Sequence, residues 1–242
     1  MSVLSVKINQ IAALRAIRMR KQPDPAQASV LIELAGADGV TCHLREDRRY
    51  LRDRDVYILK EMVKTKLTLQ IAPDDELVNL ALEVKPYMVM LMPFSSEDYI
   101  YTQGIDFSDI DKYAEAAESL QNAGIIIGCF IDPDSDAVKN AARLKADTVE
   151  LNAGHYVSAG TIDIAESELE RLDQAAQLAA KLGMIANSGN GLNYKNIRPL
   201  VDLDIIEEFT VGHAIIGKAV MVGIERAVRE MVEIIHQPPI DE

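Results

Sequence analysis

Short apolar runs alternate with longer stretches of helical periodicity from one end of the chain to the other, and any fold must accommodate that alternation. The runs fall at 3–8, 39–43, 67–71, 88–92, 125–131, 148–152, 184–187 and 208–211. Most are rich in the β-branched and aliphatic side chains that suit a pleated sheet. Helical patterns occupy 25–35, 53–64, 74–84, 113–123, 136–144, 164–182, 195–201 and 215–236. Asp53 and Asp74 offer N-cap chemistry, and Gly36, Gly124 and Gly183 stand where a helix gives way to the next strand. Eight such units in 242 residues match a closed (β/α)8 TIM barrel of the α/β class with extra helices, whose usual size is about 250 residues. An open doubly wound sheet would carry G-x-G-x-x-G after its first strand, and the corresponding stretch VKINQIAALR has no glycine. The pattern therefore predicts one barrel domain over 1–242, with a tail from 235 onward expected to fray.

A formal net charge of −13 disfavours nucleic acid and anionic membranes, because both need a positive surface. Two cysteines, Cys42 and Cys129, lie in apolar runs and read as buried thiols of a reducing compartment. No run approaches the roughly 18–20 apolar residues of a membrane span, and the N-terminus has no signal-peptide h-region. These features predict a soluble cytoplasmic protein.

A barrel enzyme works at the C-terminal ends of its strands. Those ends here carry Lys7, Asn9 and Gln10; His43 and Arg45; Gln70; Glu150 and Asn152; Asn187 and Asn190; Gly212 and His213. One polar residue after a strand is ordinarily a rim residue, but a ring of them predicts a polar pocket. NSGNG at 187–191 allows close backbone approach at Gly189 and Gly191, and Gly212 precedes a long amphipathic helix. Loops after the last two strands beside a helix N-terminus are the usual phosphate site of this fold. HLREDRRYLRDRD at 43–55 reads mostly as a self-paired charged loop; Arg45 is the exception, since it is two residues beyond His43 and shares its face. The connection 93–106 is expected to form a mobile loop over one barrel mouth.

PDPAQA at 23–28, AGADGVTCHLREDRR at 35–49, RDVYILK at 54–60 and VGHAIIGKAVMVG at 211–223 resemble the pyridoxine 5′-phosphate synthase family. The resemblance spans nearly the whole chain and keeps the order of segments. It implies a TIM barrel assembled as a homo-octamer of dimers, with no metal and no cofactor. It also implies condensation of 1-deoxy-D-xylulose 5-phosphate with 3-amino-2-oxopropyl phosphate to pyridoxine 5′-phosphate. On this resemblance His43 and Glu150 are catalytic, and Arg18, Arg45, Gly191, Gly212 and His213 bind substrate phosphate.

Several family positions hold other residues here. Lys7, Asn9 and Gln10 stand for asparagine, aspartate and histidine; Gln70 stands for the glutamate base and Asn190 for the histidine acid. Tyr50 and Asn152 also replace histidines. An amide keeps size and hydrogen bonding but transfers no proton near pH 7, and one general acid or base is worth about 10²–10⁴ in rate. Two alternatives follow: a non-synthase relative that binds a phosphorylated small molecule through Asn9, Gln10 and the phosphate loops, or a phospho-sugar enzyme using Lys7 as a Schiff base. Against the latter, Lys7 has a simpler role as ion partner of Glu150 or of a phosphate.

Overall fold

The computed structural model describes residues 2–17, 21–94 and 103–237. Eight parallel strands close in sequence order: β1 Val3–Lys7, β2 Gly39–His43, β3 Lys66–Ile71, β4 Met88–Leu91, β5 Ile126–Ile131, β6 Thr148–Asn152, β7 Ile185–Gly189 and β8 Glu208–Val211. β1 pairs with β8 through Val3↔Glu208 to Val6↔Val211, which closes the ring. The helices are α1 Asn9–Ile17, α2 Pro25–Leu34, α3 Asp53–Met62, α4 Asp75–Val84, α5 Ile110–Asn122, α6 Ser135–Arg143, α7 Gly154–Val157, α8 Ile162–Lys181, α9 Arg198–Val201, α10 His213–Val222 and α11 Ile224–His236. No described helix is long and apolar enough to cross a membrane.

The strands obey period two with polarity reversed relative to an ordinary core. Outward residues such as Leu4, Val6, Val40, Leu69, Ile127, Val149 and Phe209 join one apolar layer under the helices. Inward residues are largely polar, and several of their hydroxyls and amides hydrogen-bond across strands, although the amide oxygens of Gln70 and Asn187 have no partner among the described residues. The Ser5 and Thr41 hydroxyls lie 2.7 Å apart, and Asn187 Nδ2 donates to Thr148 Oγ1 at 3.0 Å. The β4–β5 side is the apolar part of the interior, where Met88, Met90, Met92 and Phe130 form a separate cluster. Gly128 makes room for it: a Cβ there would sit 2.6 Å from Met90 Cε and 2.9 Å from Thr148 Cγ2.

Side-chain caps set the starts of α2, α4, α6 and α8. Asp74 caps α4 by accepting from the N–H groups of Glu76 and Leu77, and Asp24 does the same for Ala26 at the start of α2. Asp53 is not a cap. The N-cap of α3 is Arg52, whose N–H donates to the Asp55 carboxylate at 3.0 Å, so Asp55 supplies the first-turn acceptor. The single helix expected over 215–236 is two, because Gly223 at φ +87° and ψ 152° breaks the ladder between α10 and α11. Residues 9–17, where only a helical turn was expected, form the full helix α1, with Ile11 and Ala12 buried. α11 runs to His236 with Ile235 2 % exposed, so ordered helix reaches into the segment expected to fray; 238–242 lie outside the described residues. Residues 95–102 of the connection expected to be mobile also lie outside them.

Candidate active site

A cavity of about 540 Å³ opens at the C-terminal ends of the strands, the size of a site for a small metabolite. Lys7 at the end of β1, His43 at the end of β2 and Glu150 on β6 face it together, each carried inward by the strand alternation. Arg45 stands on its wall, and Gly191, Gly212 and His213 form the rim after β7 and β8. Gly191 sits at φ +86° next to Asn190 at φ +74°, a tight left-handed turn that aims the segment at the cavity. Gly212 precedes α10, so the free N–H groups of that helix's first turn border the cavity.

Asn9 lines the cavity but its amide is committed to the backbone of His43. Its Nδ2 donates to His43 O at 2.7 Å, and its Oδ1 accepts from His43 N–H at 2.8 Å. That pair continues the β1–β2 ladder one step beyond the strands and fixes the height of the imidazole. Gln10 faces the cavity, and its Oε1 has no hydrogen-bond partner among the described residues. Gln70 does not line the cavity. It is fully buried beneath Glu150, with Nε2 3.5 Å from Glu150 Oε2 and Oε1 without a partner among the described residues. Glu150 Oε2 also accepts from Thr210 Oγ1 at 2.9 Å.

Asn190 borders the cavity and is held from behind: its Nδ2 donates to Asn152 Oδ1 at 2.8 Å, which also accepts from Gly154 N–H at 2.9 Å. Asn152 Nδ2 in turn donates to Asp132 at 2.8 Å. Gly189, singled out in the sequence for approach to a ligand, instead makes room for a neighbouring side chain. A Cβ there would lie 2.6 Å from Glu150 Oε1. Arg45 forms a two-pronged pair with Asp47, Nε–Oδ1 and Nη2–Oδ2 both 3.1 Å, and Arg48 and Arg49 also pair within the charged loop. Arg18 lies outside the described residues.

Thr210, Met92 and Phe130 line the cavity and were missed. Thr210 is two residues before Gly212, so period two was a usable signal. Phe130 and Met92 read as ordinary core, and only the register Phe130↔Glu150 reveals that they share the inner face.

Burial sets the protonation states. Burial first, then the positive charges of Lys7 and Arg45, hold the His43 imidazole well below its usual pKa of 6.5, so at pH 7 it is neutral, with a lone pair available but reduced basicity. Burial lowers the Lys7 ammonium, and the Glu150 carboxylate only partly restores it. Burial raises Glu150, opposed by Lys7, Thr210 and Gln70. The site thus gathers a neutral base, a lysine and a carboxyl each drawn toward its uncharged form, and anion-seeking backbone at the rim. Cys42, behind Lys7, is pushed up to about 12 and stays a thiol.

The family model described as "Pyridoxal phosphate biosynthesis protein PdxJ" matches residues 4–237. A pyridoxine 5′-phosphate synthase of Geobacter metallireducens is 46% identical over 236 residues, 97% of this chain and 99% of that one. One of Geotalea uraniireducens is 44% identical with the same coverage. Among solved structures, phosphoribosyl anthranilate isomerase from Thermus thermophilus superposes with a TM-score of 0.59 at 11% identity, covering 97% of this chain and 98% of that one, a likeness of fold.

Proposed function

Because the chain belongs to the pyridoxal phosphate biosynthesis protein PdxJ family, we propose that it is a pyridoxine 5′-phosphate synthase of vitamin B6 biosynthesis, acting in the cytoplasm as a homo-octamer of dimers. It condenses 1-deoxy-D-xylulose 5-phosphate with 3-amino-2-oxopropyl phosphate, without metal or cofactor. The observation that carries this reading is the convergence of His43 and Glu150 on one cavity whose rim offers Gly191, Gly212 and the first turn of α10. Two phosphate monoesters need such a rim, and the helix N-terminus and Arg45 supply it.

Within the cavity His43 takes protons as the neutral base. Glu150, drawn toward its protonated form, returns them to departing oxygen. Gln70 and Asn190 transfer no protons. Gln70 steadies the Glu150 carboxylate from below, and Asn190 carries the turn that presents Gly191. Gln10, whose amide oxygen lacks a partner among the described residues, is placed to receive a substrate hydroxyl or amine.

The test is a discontinuous assay with both phosphate substrates and detection of pyridoxine 5′-phosphate. Turnover by the unmodified chain, reduced about 10²–10⁴-fold in His43→Gln, is the expected result. The amides at 9, 10, 70 and 190 favour a second reading, a relative that binds one phosphorylated small molecule without ring closure. Tight binding with product formed only after Gln70→Glu and Asn190→His would establish that reading and remove the first.

A further inference from the structure

Lys7 is the last residue of β1 and lines the cavity, yet its ammonium makes no hydrogen bond or ion pair with any described residue. The simple role of ion partner to Glu150 is therefore not taken up, although the two charges sense each other. The base of the side chain is pinned: Lys7 Cβ and its carbonyl oxygen lie 3.1 Å from where a Cβ on Gly212 would be, so Lys7 leaves the barrel wall directly against the start of α10. A phosphate seated at that helix N-terminus places the rest of a short phosphorylated chain over the lysine.

We propose that Lys7 is a covalent catalytic residue that captures the ketone of a phosphorylated ketose as an iminium. The proposal rests on the synthase reading and names the residue that activates its ketone substrate. Burial favours the free amine that such an attack requires. The Nζ lone pair adds to the carbonyl carbon, and a proton passes from nitrogen to the former carbonyl oxygen through His43. Protonated Glu150 then delivers a proton to the hydroxyl, which leaves as water while the nitrogen lone pair forms the C=N⁺ bond. Amine, ketone and carboxylic acid become iminium, water and carboxylate, and the Glu150 carboxylate remains beside the iminium charge it created. The amino group of the second substrate next adds to the iminium carbon and expels the Lys7 amine. The ketone carbon is thereby linked to nitrogen with one water released in all. An iminium is a stronger electrophile than a ketone, which offsets the acid and base missing at 70 and 190.

The full chain is incubated with 1-deoxy-D-xylulose 5-phosphate and cyanoborohydride, then analysed by intact-mass and peptide mass spectrometry. One reduced adduct per chain on the Lys7 peptide is expected, suppressed by excess inorganic phosphate and absent in Lys7→Arg, which keeps the charge but forms no iminium. Exchange of the ketone oxygen with labelled water, catalysed by the unmodified chain and not by Lys7→Arg, is a second expected readout that needs no trapping. Adducts only on surface lysines, or equal exchange in both proteins, overturn the proposal. If the ketose binds calorimetrically and the synthase assay succeeds without an adduct or exchange, Lys7 is non-covalent and the synthase reading survives. An adduct without pyridoxine 5′-phosphate keeps the proposal and removes the reading beneath it.

Discussion

At the scale of single residues, the amides in this pocket are more than neutral remnants of acids. Asn9 makes two opposed hydrogen bonds to His43, donating to its carbonyl and accepting from its N–H. A carboxylate in the same place satisfies only the N–H and sets an oxygen against the carbonyl. Asn9→Ala leaves two backbone groups unsatisfied, so a loss of about 1–3 kcal/mol is expected in urea denaturation, with kcat falling because the imidazole loses its anchor. Asn9→Asp is expected to fold less stably than the native chain but to retain the N–H contact. Gly189 is equally specific: Gly189→Ala drives a methyl group into Glu150 Oε1, and a lower kcat with intact phosphate binding is the expected signature. Lys7, His43, Glu150 and Arg45 were legible in the sequence because polar side chains at alternate positions near the strand ends of a barrel turn toward its mouth. The double use of Asn9 was not, since an amide's partners depend on a residue 34 positions away.

Among the elements, α1 is the one the sequence concealed. Asn9 and Gln10 extend a polar strand end, and only burial of Ile11 and Ala12 turns 9–17 into a helix. Its hold on the rest of the barrel is Arg15, whose guanidinium grips Asp55 of α3 with contacts of 2.8 and 2.6 Å and donates to Tyr50 O at 2.9 Å. Both side chains are nearly buried, at 11 % and 6 % exposure. Burial alone would raise Asp55, but hydrogen bonds from Arg15 and the Arg52 N–H outweigh it and hold the carboxyl below its usual range. Its stabilisation is therefore present at neutral pH and lost as pH falls through the lowered value. Arg15→Met strands a buried carboxylate, so a cost of about 3–5 kcal/mol is expected; the pair Arg15→Met with Asp55→Leu should recover most of it. A thermal-shift series across the native chain, the two single variants Arg15→Met and Asp55→Leu, and the double variant measures this. The charged loop 43–55 pairs with itself through Arg45–Asp47, Arg48–Asp53 and Arg49–Asp47, because acids and bases two to five residues apart meet in a compact turn. Arg45, set apart in the sequence for the cavity, joins that pairing while it stands on the cavity wall, and Asp55 pairs outside the loop with Arg15.

On the scale of the whole molecule, the apolar runs disclosed the barrel because its strands alternate so regularly, and the polar ring at the strand ends came with it. The polar layer deeper inside, Ser5, Thr41 and Thr148, shows only once the ring is closed. Closure also buries Glu208 at the start of β8, where burial and the nearby Glu150 and Asp38 raise it to about 7 despite Lys66. The folded protein then binds a proton that the unfolded chain has released, so stability falls as pH rises from about 4.5 to 7 and stays low above. Glu208→Gln removes that dependence and is expected to be more stable by at most about 3 kcal/mol at pH 8, with the difference vanishing near pH 4.5. Outside the ring, the apolar surface points to assembly. Ile17, Leu34, Val220 and Met221 on α1, α2 and α10 are 72 %, 74 %, 69 % and 82 % exposed. A groove lined by Leu14, Ile17 and Val220 also includes Gln10, Tyr50 and His213 of the active site. We propose a second copy of this chain as the occupant, the contact from which an octamer of dimers is built. Val220→Lys with Met221→Lys puts two charges into that contact, and light scattering after size exclusion is expected to show a smaller assembly. Because the groove and the cavity share residues, catalysis should weaken with assembly as protein concentration falls. An unchanged mass for the double variant would place the interface on another face.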